Sequence, residues 1–302
     1  MLTDTGIDSI PTAEGAMLDQ AINRTAVVTV GDVRNDGGTL SARVTVVSKV
    51  GHKFPSGVGF RRAFLQFSVL DVNNKVLWSS GRTDGAGVLI DQNGEPIAGE
   101  LWWTKDCSQR IDPQARIHQP HYREITRQNQ AQIYQELVST PADVAAPNGA
   151  KPICGPNATP EGQLTTSFLS ICAKVKDNRI LPSGFLGLDD RKAISKALGA
   201  DDKMAEETGA TAVGDDPDYQ RGGSDALVYR VPLAEIAGTP AAVQATLYYQ
   251  PTPPFFLQDR FCTSDSNDTK RLYYLTGKLS LSGTPAQDWK LRVVTSGPVT
   301  VP

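Results

Sequence analysis

The chain has 302 residues and a formal net charge of -3, so it lacks the basic surplus that nucleic-acid binding demands. Its 27 glycines and 20 prolines exceed the roughly 12% of average usage, and its aromatic and β-branched residues fall in short separated runs, as in a turn-rich β protein. No run approaches the ~18 apolar residues that a membrane-spanning helix requires.

Residues 1–20 read as a polar, Pro- and Gly-punctuated lead-in, and residues 21–302 as one elaborated domain. Arg24 to Arg34 and Thr39 to Val47 alternate at period two around Asn35-Asp36-Gly37-Gly38, which predicts a β-hairpin. Ala63 to Val72 and Lys75 to Ser79 flank Asn73-Asn74 and predict a second one. Residues 81–124 form a long Gly-, Asp- and Pro-rich excursion anchored by Trp102-Trp103, with a tight turn at Asp91 to Gly94. Gln130 to Val138 fits both helix and strand periods and is read as a strand, with Leu164 to Val175 closing back on it. Asp189 to Leu198 carries the strongest helix signal, with acidic residues at its start and Gly199 after its end. Asp225 to Val231 and Ala242 to Tyr249 are clear strands, Asp268 to Leu279 is a helix candidate, and Trp289 to Val294 reads as a last strand. Some eight strands against one or two short helices make the fold mainly β: an immunoglobulin-like β-sandwich with long loop insertions.

Cys107, Cys154, Cys172 and Cys262 include no CxxC pair, which disfavours zinc and thioredoxin-like sites. Two disulfides or four buried thiols both fit, and all three pairings stay open.

Gly51-His52-Lys53-Phe54-Pro55-Ser56-Gly57 followed by Arg61-Arg62-Ala63-Phe64 resembles the C-terminal β domain of bacterial multihaem c-type cytochromes. The resemblance runs on through Gln119 to Tyr122, Lys176 to Phe185, Asp216 to Tyr219 and Leu247 to Pro251, covering most of residues 17–295 in order. It departs in one respect, because no cysteine belongs to a CxxCH motif, so no haem is expected to be covalently bound. The resemblance implies a periplasmic or extracellular location and a haem-bearing cytochrome module or chain as partner. It also implies a role as a non-catalytic docking or scaffold domain for electron transfer.

The chain has three histidines, His52, His118 and His121, and imidazole is a common axial ligand of haem iron, so each could ligate the haem c of a partner. His52 is favoured, since Phe54-Pro55 limits the freedom of its loop. The alternative for each is a loop-supporting hydrogen bond. A zinc site at His118 and His121 is disfavoured by the intervening Pro120. Asp84, Asp91 and Asn93, and Asp215, Asp216 and Asp218, offer the hard oxygens that calcium takes, although turn-forming Asp and Asn bonding to their own backbones is the favoured reading. They motivate a second function, a haem-free binding or adhesion module stabilised by calcium. No nucleophile elbow or dinucleotide fingerprint is present, so an enzyme acting alone is not expected. Tyr248, Tyr249, Phe255 and Phe256 among prolines form either a docking surface or a cover over the open end of the sandwich.

Overall fold

A computed structural model describes residues 9–142, 154 and 162–302. Most of the apolar-poor stretch 139–163 therefore lies outside the described residues, as do residues 1–8 of the lead-in. The rest of the lead-in is a helix, α1 (Ser9–Arg24), none of whose residues is buried.

The first hairpin pairs β1 (Ala26–Asp36) with β2 (Thr39–Ser48). Its two turn residues, Gly37 and Gly38, have φ of 57° and 79°, and two successive positive values make the tight hairpin turn whose twist matches the strands. The second hairpin pairs β3 (Arg62–Leu70) with β4 (Val76–Ser80). A long insertion follows, holding β5 (Arg82–Thr83), β6 (Leu89–Ile90), β7 (Glu124–Ile125), β8 (Ile133–Tyr134), β9 (Glu136–Ser139) and β10 (Ala173–Asp177). Three helices end it: α2 (Leu188–Ala197), α3 (Asp202–Glu207) and α4 (Asp218–Arg221). Then come β11 (Ser224–Pro232), β12 (Ala242–Gln250), α5 (Pro254–Thr263), α6 (Asn267–Lys278), β13 (Leu291–Thr295) and β14 (Val299–Thr300). Six α-helices among the described residues replace the one or two expected, yet strands still dominate. The extra ones are short or exposed, so they leave little apolar period in the sequence.

One sheet has the order β1-β2-β11-β7, and the other runs β13-β12-β3-β4, with β14 on β12 and β8 on β3. Taking β1, β2, β3, β4, β11, β12 and β13 as successive strands gives the A-B-E and G-F-C-C′ sheets of an immunoglobulin-like sandwich. The insertion occupies the crossing from C′ to E, and β7 departs from the pattern by pairing parallel to β11. Side chains of both sheets interdigitate, with the Phe67 and Tyr229 rings stacked across the gap at 4.1 Å. Burial of each such side chain contributes roughly 1.5–3 kcal/mol.

The strand patterns report what covers each sheet. β2 alternates buried and open positions, as a strand with one wet face must. In β3 every residue but Gln66 is buried, because the insertion packs on the sheet's outer face through Phe64, Leu89, Ile97, Ala131 and Ile133. A buried ion pair also ties that face down: Arg62 grips both oxygens of Glu100 at 2.5 and 2.8 Å while its Nε donates to Gln250. A third cluster joins Trp102, Leu137 and Leu164 to Phe255 of α5. Phe255 stacks on Trp102 and Phe256 on Phe60, so these aromatics seal the insertion against α5.

Cys107 is bonded to Cys262, and Cys154 to Cys172. The first pins the Trp102-Trp103 turn to α5, where Asp259 also collects Arg110, the Trp103 indole and Thr166.

Candidate functional site

Two places concentrate the residues that could carry chemistry: the loop bearing His52, and the junction where the insertion meets β11.

His52 is exposed, with Nδ1 3.3 Å from the Lys53 carbonyl. The loop beneath it is fixed from several sides. Phe54 and Pro55 are buried, and Phe54 exchanges two backbone hydrogen bonds of 2.8 Å with Ile180. Lys53 reaches Asp177 at 2.6 Å and the Gly209 carbonyl at 2.7 Å, while Arg179 clamps the same Asp177 through two nitrogens. Burial pulls the Lys53 ammonium below its ordinary range, and the Asp177 charge opposes that pull.

At the junction, His121 comes from the run before β7, and its side chain is only 1% exposed. Its Nε2 lies 2.9 Å from Asp216, and its Nδ1 lies 3.0 Å from Gln132 Nε2 and 3.4 Å from Asn178 Nδ2. The two amides are oriented by their other ends, since Gln132 Oε1 accepts from Tyr122 N–H and Asn178 Oδ1 accepts from Gln135 N–H. Both therefore present N–H to the ring, which makes Nδ1 the acceptor and Nε2 the proton carrier. Asp216 Oδ2 accepts a hydrogen bond from that N–H, and Asp216 Oδ1 accepts from the Asp218 backbone.

Asp225 completes the group. It sits on β11 in the same inward phase as Leu227, Tyr229 and Val231, a core position for a carboxyl. Its Oδ2 accepts from Tyr134 at 2.7 Å and Gln132 at 2.9 Å, while its Oδ1 has no partner among the described residues. Burial pushes the Asp225 carboxyl up, and burial together with that carboxyl pushes the Tyr134 phenol well up. Above the cluster, Lys176 is fully buried and gives its ammonium to the carbonyls of Gln119, Pro120 and Ile133. Burial, aided by the Arg62 charge, lowers it to about 7.

One nitrogen of His121 and one oxygen each of Asp216 and Asp225 lie within 4.8 Å of one another, close enough to share a cation. The surroundings fit one poorly. A metal-bound histidine donates its other ring N–H to an acceptor, and here Nδ1 faces two amide donors that are held by their own partners.

The remaining predicted residues are not brought together. His118 stands apart from this group, its backbone packed under Gly99 and its Nδ1 buried without a partner among the described residues. Burial and then the Lys176 charge lower its pKa. Asp84 and Asp91 each fold their own turn, accepting from the Ala86 and Val88 amides and from the Asn93 and Glu95 amides. The β5–β6 ladder separates those two turns. Asp215 is open to solvent beside Arg123, and Asp218 accepts from the Ala226 amide. These are the local backbone bonds that Asp and Asn favour in turns, and among the described residues Asp84, Asp91, Asp215 and Asp218 are not gathered into one group of cation ligands. Sequence reasoning passed over Asp225, Gln132, Tyr134 and Lys176. The available signal was a carboxyl in the apolar phase of a strand.

No family model matches the chain, and no curated protein matches it. Among solved structures it is similar to a penta-heme cytochrome c552 from Thermochromatium tepidum, with a TM-score of 0.37 and 14% identity. That alignment takes in 94% of this chain and 41% of the cytochrome, so the chain spans about two-fifths of its length.

Proposed function

We propose that the chain is a non-catalytic docking or scaffold domain of an extracytoplasmic multihaem electron-transfer system, packing against haem held by another module or chain. The observation that carries this reading is the presentation of His52, an exposed imidazole on a loop locked by buried Phe54-Pro55 and by Ile180. A loop fixed in advance loses little backbone freedom when its exposed ring meets an iron, which is how preorganisation strengthens binding. The loop also carries the pattern on which the sequence resemblance was first noted.

Two further features agree with it. Disulfides persist in oxidising compartments. Helix α6 exposes Leu272, Tyr273, Tyr274 and Leu275 with none of its residues buried, and apolar surface left open in this way suits a domain that packs against others. His121 takes no part in this function, since its side chain is enclosed and Nε2 is engaged by Asp216.

The visible spectrum of the complex purified from the native source tests the reading. His52→Ala should convert a six-coordinate low-spin iron into a high-spin one, and His118→Ala should not. A native complex without haem, or a His52→Ala variant with a lowered melting point and an unchanged spectrum, would overturn it.

A further inference from the structure

The junction cluster leaves one buried atom unaccounted for. Asp225 Oδ1 is enclosed and has no donor among the described residues, a situation unfavourable for a neutral acceptor and more so for a charged one. Four things could relieve it: a donor from the protein, an ordered water, a cation, or a proton that removes the charge. A water would leave the carboxyl titrating in its ordinary range, which carbon-13 titration reads.

The described residues supply no donor. The His121 Nε2 proton is committed to Asp216 at 2.9 Å, with Asp225 Oδ1 at 3.9 Å. Tyr134 and Gln132 already serve the other oxygen, Oδ2. Tyr219 spends its hydroxyl on the Asn178 carbonyl. The Lys176 ammonium is held by carbonyl oxygens, and Arg123 lies outside, facing Asp215 and Asp216. Tyr229, next but one inward on β11, has a buried hydroxyl that is likewise unpaired among the described residues. A cation is disfavoured by the donors around His121 Nδ1.

We infer that the folded protein keeps Asp225 as a neutral carboxylic acid with its proton on Oδ1, and that loss of this proton is a pH-sensitive element joining the insertion to β11. Ionisation would place a second buried negative charge within reach of Asp216, in a cluster whose only imidazole proton is already used. The direction agrees with burial pushing the Asp225 carboxyl up. The folded state then holds a proton that the unfolded chain has released, so stability falls as pH rises from the ordinary carboxyl value through the raised one.

The test compares two chemically identical substitutions. Asparagine at 225 mimics the protonated acid: its oxygen still accepts from Tyr134 and Gln132, and its amide stands where the proton stood. Asparagine at 216 cannot serve both the His121 and Asp218 donors. Asp225→Asn should therefore melt no lower than wild type at pH 5 and gain on it toward pH 8, while Asp216→Asn should melt lower at both. Carbon-13 titration of wild-type aspartate carboxyls provides a readout that needs no variant: one resonance should keep its protonated shift after the exposed carboxyls have ionised. The inference is overturned if all carboxyls titrate in the ordinary range, or if Asp225→Asn lowers the melting point equally at both pH values. A saturable stabilisation by zinc or manganese that Asp225→Asn abolishes would likewise overturn it, in favour of a cation.

Discussion

Lys176 shows how a single side chain couples burial to pH. Its ammonium sits among the Gln119, Pro120 and Ile133 carbonyls with no direct carboxylate partner, and burial brings it down to about 7. Between that value and the ordinary 10.5 the unfolded chain binds the proton more readily than the folded one, so stability rises with pH across this window. The limiting slope is about 1.4 kcal/mol per pH unit, and the carbonyl bonds, which favour the charged form, keep the true value below it. The unfolding free energy of the wild type in urea should rise between pH 7 and 9 relative to that of Lys176→Met. A variant with the wild-type slope would place the titrating group elsewhere. At this scale the sequence was partly legible. His52 in a constrained loop could be read from its neighbours, whereas the partners of His121 at Asp216 and Asp225 lie some hundred residues downstream, and only the topology brings them together.

Among the elements, the short link from β4 to β5 turns on Gly81. Its φ is +74°, and a Cβ there would stand 2.1 Å from the Leu65 carbonyl oxygen, which belongs to the backbone of β3 and cannot swing away. Gly81→Ala should lower stability by about 3 kcal/mol or more, combining backbone strain with overpacking. Gly94, with a similar φ of +85° but open space around it, serves as the control. Gly94→Ala carries the strain alone, about 1–2 kcal/mol, and equal losses in the two variants by urea unfolding would refute the steric account. Elements with strong local chemistry were readable: the Gly37-Gly38 hairpin, the acidic start of α2, and the strand period of β11. α1 escaped because it buries no face and holds Pro11 and Gly15. α5 was obscured by its aromatics, although Pro254 at its first turn is a helix-start signal.

For the whole molecule, the two disulfides close loops of very different length. The Cys107–Cys262 bond spans 155 residues and Cys154–Cys172 spans 18. Chain entropy assigns them about 5 and 3 kcal/mol respectively. Replacing the first pair by alanine should thus lower the unfolding free energy by more than replacing the second, and the reverse order would show that local packing outweighs loop closure. The sandwich was legible from strand count and turn spacing. Its division into A-B-E and G-F-C-C′ sheets was not, because pairings such as β2 with β11 leave no local trace in sequence.

That same pairing sets a schedule for the growing chain. The hairpin of β1 and β2 is complete early, but about 175 residues must be made before β11 can pair with β2. At roughly 5–20 residues per second the wait is about 9–35 s, far longer than the ~1–10 μs in which a hairpin forms. Throughout that interval β2 offers an open strand edge, rich in valine, to any other extended chain nearby. A nascent polypeptide of this design is therefore exposed to mispairing during synthesis, and a holding chaperone that masks residues 39–48 would protect it until β11 is available.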